Sequence, residues 1–247
     1  MDSFATVARY YNRMSGYPGR IDNLVELIAP WIERWHPQSV LDAGCGGGAL
    51  MLALRRLGVE VVGLDASDAM LQLARANASE RGHEFVFVSA TFAEAGTRFP
   101  GRFDAVFALG NALVSPENDR EMDDSLRGLH DALRPGGHLL LQCLNLIPFY
   151  RGAKTLISHR RDEDTHFLRF AVPAGERLLF TVAVVEPDAV PHVHTGWWQL
   201  WDAPRMTERL KSTGFAEIEI YGGIDRSDFD GAQSTDLVLS AKRSAGG

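Results

Sequence analysis

Cysteine is almost missing from this chain: 247 residues carry two, Cys45 and Cys143, with neither CxxC spacing nor a histidine cluster beside them. Both are therefore read as reduced, partly buried thiols rather than redox or metal pairs. A nucleophilic Cys45 would need a base close by, and its neighbours in sequence supply none. Runs of Lys and Arg are missing too. Basic residues number 25 against 32 acidic ones, a formal charge of −7, and no basic stripe is present to track a phosphate backbone. Nucleic acid is not expected as a partner. No apolar segment approaches the length that spans a bilayer, and the opening Met1-Asp2-Ser3-Phe4 has no basic region feeding an apolar one. No membrane contact is expected, and the expected compartment is cytoplasmic. No internal repeat is visible.

What is present is ordinary for a globular protein, with 45 % hydrophobic and 23 % charged residues. A chain of this length buries one substantial core. One domain over 1–247 is expected, with a helical cap at 1–37, a core at 38–145, an insertion at 146–203 and a closing helix and hairpin at 204–247.

The cap reads as two helices. Phe4, Val7, Tyr10, Tyr11 and Met14 mark one over 3–14, interrupted by Gly16-Tyr17-Pro18-Gly19. Ile21, Leu24, Val25, Ile28, Trp31, Ile32 and Trp35 then recur at helical spacing until Pro37. From Ser39 short apolar runs alternate with helical stretches, as in βαβ units on a parallel sheet. Strands are expected at 40–43, 60–64, 85–89, 103–109 and 138–144, and helices at 49–57, 67–81 and 117–133, with Ser67 as an N-cap. Residues 91–99 carry no clear pattern. After 144 the rhythm changes: 146–160 reads as helix or loop, and 167–172, 177–186 and 192–201 read as strands. A helix from Ala203-Pro204 to Thr213 follows. Strands at 217–221 and 236–241 have no helix between them, so they form an antiparallel hairpin at the sheet edge.

The strand at 40–43 runs into Gly44-Cys45-Gly46-Gly47-Gly48 and a helix. Such a turn brings backbone N–H groups close to a ligand with no Cβ atoms in the way. The run Gly44 to Ala49 also satisfies the dinucleotide pattern G-x-G-x-x-G/A, with Asp65 at about the right distance for a ribose. A nicotinamide-dependent oxidoreductase and a non-catalytic cofactor-binding module are thus the alternatives. Asp42 argues otherwise. It puts a carboxylate where a dinucleotide brings its pyrophosphate, which is repulsive, whereas S-adenosylmethionine brings an ammonium and a sulfonium and no phosphate.

On these residues the chain resembles the class I S-adenosylmethionine-dependent methyltransferases. Asp42, Gly44, Gly46 and Gly48 match the family's Asp-x-Gly-x-Gly-x-Gly. Val62-Gly63-Leu64-Asp65-Ala66-Ser67 with Met70 resembles its second-strand motif, in which the acid takes both ribose hydroxyls and the next residues flank adenine. Leu133-Arg134-Pro135-Gly136-Gly137 is similar to its turn before strand five. The resemblance implies an α/β, Rossmann-like seven-stranded sheet of order 3-2-1-4-5-7-6, with strand 7 antiparallel and a small antiparallel β insertion after strand 5. Where many members have an Asp for the adenine amino group, this chain has Ser89-Ala90-Thr91-Phe92, so Ala90, Thr91 and Phe92 are expected at the adenine. Leu109-Gly110-Asn111 resembles the Leu-Gly-Asn of small-molecule N-methyltransferases of the glycine and sarcosine type, and Arg20 stands where such enzymes bind the cofactor carboxylate.

The reaction implied is in-line transfer of a methyl group to a nitrogen or oxygen of a small molecule, in which the protein chiefly aligns nucleophile and methyl. No metal is expected, since His192-Val193-His194 has no carboxylate set beside it. Expected participants in the chemistry are Tyr11 (or its neighbour Tyr10), Asn111 and His194. Asn145, Tyr150, Arg169 and Trp197 are expected around the substrate, although a Trp197-Trp198 pair on a strand usually sends one ring into the core. Monomer and homodimer are both compatible with the composition. Asp65→Ala is expected to abolish S-adenosylmethionine binding in calorimetry, and an unchanged affinity would remove the assignment.

Overall fold

A computed structural model describes residues 5–245, with side chains from Ala8 onward. The expected start of the first helix at Ser3 and Phe4 lies outside the described residues, as does the side chain of Val7. Helix α1 spans Ala5–Ser15 and α2 Arg20–Trp35. The apolar period of α2 buries Ile21, Leu24, Ile28 and Trp31. His36 ends it in a left-handed conformation (φ 47°), its N–H donating to Ile32 O at 2.8 Å.

The core follows as β1 (Ser39–Ala43), α3 (Ala49–Arg56), β2 (Glu60–Asp65), α4 (Asp68–Ser79), β3 (Val86–Ser89), α5 (Ala95–Arg98), β4 (Phe103–Ala108), α6 (Asp119–Ala132) and β5 (Leu133–Leu144). Three caps set helix starts: the side chains of Ser67, Asn118 and, later, Asp202 accept N–H bonds from Met70, Glu121 and Arg205. Beyond β5 come α7 (Ile147–Tyr150), β6 (Leu156–Asp162), β7 (Thr165–Ala174), β8 (Arg177–Val185), β9 (His192–Gln199), α8 (Ala203–Ser212), β10 (Phe215–Tyr221) and β11 (Asp236–Arg243).

Seven strands form one sheet in the order β10-β11-β5-β4-β1-β2-β3. β11 runs antiparallel to both β5 and β10, and the other pairings are parallel. This is the expected 3-2-1-4-5-7-6 topology. Both faces of its centre are covered, so β1 is buried from Val40 to Ala43. Leu41 and Ala43 pack with α6 and α8, while Val40 packs with α2 and α3 on the other face.

Two expectations change. The insertion is a four-stranded antiparallel sheet, β6-β7-β8-β9. Its first strand falls within the stretch expected as helix or loop, because Ser158-His159-Arg160-Arg161-Asp162 is polar on both faces and leaves no alternation to read. Strand β5 begins five residues early, at Leu133, because Arg134-Pro135-Gly136-Gly137 continues the pairing through an irregular register opposite Phe103 and Ala105. Residues 91–99 resolve into a 3-10 turn and the single helical turn α5.

Trp31 is fully buried on α2, and its indole N–H donates to Ile224 O at 2.7 Å, tying the β10–β11 loop to the cap. Trp31→Ala is expected to lower the unfolding free energy by about 3–5 kcal/mol in urea titration, as large-to-small core changes do.

Candidate cofactor and acceptor site

The loop between β1 and α3 holds Gly44, Gly46 and Gly48 at φ 76°, 51° and 79°. At Gly44 a Cβ would stand 2.6 Å from the Ala112 Cβ and 3.3 Å from the Phe92 ring, so both conformation and space require glycine. The N–H groups of Gly44 and Cys45 both donate to Leu64 O, at 2.7 and 3.0 Å. Asp65 completes the join: its carboxylate accepts from Gly46 N–H and Ser67 N–H, each at 2.9 Å. Helix α1 closes over this loop. Asn12 and Asn77 exchange amide hydrogen bonds at 2.7 and 3.1 Å, Asn77 also donates to Gly47 O, and the Tyr11 hydroxyl lies 3.1 Å from where a Cβ on Gly46 would be.

Asp42 ends β1 beneath the loop. It is 2 % exposed, and among the described residues its Oδ2 has no hydrogen-bond partner. Its pKa is pushed up to about 8, by burial first and by Asp65 second, with Arg20 pulling the other way. Arg20, at the start of α2, brings Nη2 to 3.3 Å from the position of a Cβ on Gly110. Gly110 and Asn111 both adopt positive φ, 72° and 68°. Two residues that sequence reasoning missed hold this turn: Gln142 Oε1 accepts from Gly110 N–H at 2.6 Å, and Gln142 Nε2 donates to Asp236 Oδ1 at 2.9 Å. The signal was there as a Gln inside Leu139-Leu140-Leu141-Gln142-Cys143-Leu144 and an Asp opening an apolar strand. Burial pushes the thiols of Cys45 and Cys143 up, so neither is a ready thiolate.

Of the other expected cofactor contacts, Met70 is buried with its Cε 3.5 Å from a Cβ position on Gly46, and Ala90 and Leu109 are buried nearby at strand ends. Phe92 turns its ring to Gly44, while Ala66 is exposed. Gly48 caps α3. Thr91 is exposed, and its hydroxyl and N–H both engage Glu94 in a capping box, which holds the Glu94 pKa below its ordinary value.

The second sheet roofs the site. Pairing places Ser158, Arg169, Val182 and His194 in one row across its inner face. Arg169 Nε donates to Ser158 Oγ at 2.7 Å, and no acid among the described residues pairs with the guanidinium. Burial lowers its pKa, with Tyr11 opposing and Arg20 adding to the shift. Tyr11 thus faces the site. Tyr10 instead donates to Glu186 at 2.7 Å and packs on Phe167. Tyr150, on α7, is half-buried against the main core.

Three expectations need correction. Trp197 lies on the outer face of the sheet, 48 % exposed, and Trp198 is the buried ring, stacked on Phe180 at 3.9 Å. Asn145 is committed to the backbone rather than to a substrate: its amide donates to Gly231 O and Ser234 O, and its oxygen accepts from Ile147 N–H. Asn111 is held against the backbone of β5, its Oδ1 accepting from Leu144 N–H at 2.6 Å. Among the described residues no group of three or more His, Cys, Asp or Glu could hold a metal.

The buried acid gives a stability prediction. The native state keeps on Asp42 a proton that the unfolded chain releases near pH 4, so stability is lost as pH rises from about 4 to about 8. Without cofactor, Asp42→Asn is expected to flatten the fall of Tm between pH 6 and 8 in thermal melts; parallel melting curves would contradict the assignment of burial as the cause.

A methyltransferase-domain model matches residues 40–137. The ubiquinone biosynthesis O-methyltransferase of Alkalilimnicola ehrlichii is 38 % identical over 127 residues, covering 50 % of this chain and 49 % of that protein. The chain spans about half the length of the curated relatives it matches. Over the whole fold, the CcbJ methyltransferase of Streptomyces caelestis superposes with a TM-score of 0.81 at 22 % identity, covering 99 % of both chains. The amino pentose methyltransferase CalS10 of Micromonospora echinaspora, bound to S-adenosylmethionine, superposes at 0.66 with 18 % identity, over 96 % of this chain and 97 % of that one. Residues 40–137 thus match a methyltransferase domain in sequence, and the chain as a whole has the fold of these S-adenosylmethionine-dependent methyltransferases.

Proposed function

We propose that this chain transfers the methyl group of S-adenosylmethionine to a nitrogen or oxygen of a small molecule in the cytoplasm, leaving S-adenosylhomocysteine. The observation that carries the reading is Asp42, a buried carboxylate beside the glycine loop whose Oδ2 has no partner among the described residues. Such a group is costly unless a cation meets it. The cofactor ammonium supplies one, and a dinucleotide would bring pyrophosphate against it instead.

In this reading Arg20 takes the cofactor carboxylate. Asp65, already oriented by two backbone N–H groups, takes the ribose hydroxyls. Met70, Ala90 and Phe92 flank adenine, with Ala66 and Thr91 at its outer edge. When bound, the cofactor supplies a carbon already activated by its sulfonium. The chain's own task is alignment and exclusion of water: α1 covers the loop, and the roof of Arg169, Val182 and His194 covers the acceptor. Bound between Arg20, Asp42 and Asp65, the cofactor would supply the methyl group, and the proton the acceptor sheds would pass to the His194 imidazole, with the Tyr11 hydroxyl orienting the acceptor. Arg169 carries an uncompensated charge and suits an anionic group on the acceptor.

The test is incubation with methyl-labelled S-adenosylmethionine and a metabolite extract. The label is expected in a new small molecule, and cofactor affinity is expected to rise between pH 6 and about 8 as Asp42 ionises. Arg169→Met should raise the acceptor KM while leaving cofactor affinity unchanged. Binding without any transfer of label would instead favour a non-catalytic cofactor module.

A further inference from the structure

We propose that Gln142 and Asp236 are positioning residues for the amino-acid end of the cofactor: their side chains form a relay that holds the Gly110–Asn111 turn, and with it Arg20. The proposal rests on the reading that Arg20 takes the cofactor carboxylate. The turn follows β4, and both of its residues have positive φ, a region costly for a residue with a Cβ, such as Asn111, unless its neighbours hold it there. Three hydrogen bonds fasten it to β5. Gln142 takes two of them: its Oε1 accepts from Gly110 N–H at 2.6 Å, and its backbone oxygen accepts from Asn111 N–H at 3.3 Å. The third runs from Leu144 N–H to Asn111 Oδ1.

Gln142 is buried, and an amide has nearly the same shape with its oxygen and nitrogen exchanged. In the exchanged state Nε2 would meet Gly110 N–H, donor against donor. Asp236 decides between the two. Its Oδ1 accepts from Nε2 at 2.9 Å, which leaves Oε1 for Gly110. Asp236 opens β11 opposite Leu144 and is half-buried there. Burial raises its pKa, Asp225 adds to the rise, and the bond from Gln142 opposes it, with no basic group among the described residues helping. An acid out of water without a cation costs stability, and what the fold gains from this one is a fixed amide on Gln142. The turn so held abuts Arg20, whose Nη2 stands 3.3 Å from the Cβ position of Gly110. Arg20 in turn lies in the field of Asp42. A shift of the turn therefore moves the guanidinium relative to Asp42, the two groups read as meeting the cofactor carboxylate and ammonium. The nucleoside end is set separately, by Asp65 and its bonds from Gly46 and Ser67. The relay thus acts on one end of the cofactor.

Calorimetry on the full chain with two probes tests this: S-adenosylhomocysteine, and 5′-methylthioadenosine, which keeps the nucleoside and sulfur but lacks the amino-acid end. Gln142→Met and Asp236→Leu are each expected to weaken S-adenosylhomocysteine binding by at least about tenfold, since each leaves a buried polar group unpaired. Neither should change 5′-methylthioadenosine affinity by more than about twofold, because the nucleoside end is held elsewhere. Combining Gln142→Glu with Asp236→Asn runs the relay in reverse polarity, the new amide donating to a carboxylate that accepts from Gly110 N–H. This double variant should bind S-adenosylhomocysteine at least about threefold more tightly than either single variant. Loss of both probes in proportion marks a merely structural role and overturns the proposal. Unchanged S-adenosylhomocysteine binding by either single variant, or a double variant as weak as they are, overturns it too. An unaltered chain that binds the two probes equally tightly removes the reading of Arg20 itself, and the proposal with it.

Discussion

A carboxylate held out of water at the end of a parallel strand is the constraint on which this molecule depends. Burial drives Asp42 toward its neutral form, Asp65 drives it further, and Arg20 opposes both. Each neighbour is itself fixed by backbone. Asp65 is locked by the N–H groups of Gly46 and Ser67, and Arg20 is carried by the first turn of α2 against Gly110. Loop, strand and helix ends therefore hold one another. A change in any of them moves the balance of charge around Asp42, which is the balance a cationic ligand meets.

Helix α1 joins the two sheets. On one side it touches the glycine loop through Asn12 and Tyr11, and on the other it meets the second sheet through Tyr10 and Arg13. The Arg13–Asp162 pair is 2.6 Å long, but both side chains are about a third exposed, where such pairs contribute only ~0–1 kcal/mol. The apolar contact of Tyr10 with Phe167 and Val184 carries more of the attachment. A helix held this way covers the site without being part of either core.

The parts legible in sequence were those whose chemistry is local. Asp42, Gly44, Gly46, Asp65 and Ser67 lie within 26 residues, and each does its work through the backbone turn it sits in. The alternation of apolar runs and helical periods sufficed for the parallel strands and the closing hairpin, because burial on both sides of a parallel sheet leaves a plain signature, while the order of the seven strands came from the resemblance. Strand β6 left none. Its inner and outer faces are both polar, and it is a strand because β7 offers it a ladder of hydrogen bonds. The tryptophan pair shows the same limit: alternation says that one ring is inside, but only the register with β8 says that it is Trp198.

By itself, then, the sequence determined the core strands and helices and the glycine cradle with its two acids, since period and turn chemistry act over a few residues. Tertiary structure decided everything that depends on which atoms are left over after packing. Asn145 is consumed by the carbonyls of Gly231 and Ser234, distant in the chain, and Gln142 and Asp236 meet only because β11 pairs with β5. Hydrogen-bond capacity is a sum over neighbours in space, and no spacing along the chain records it.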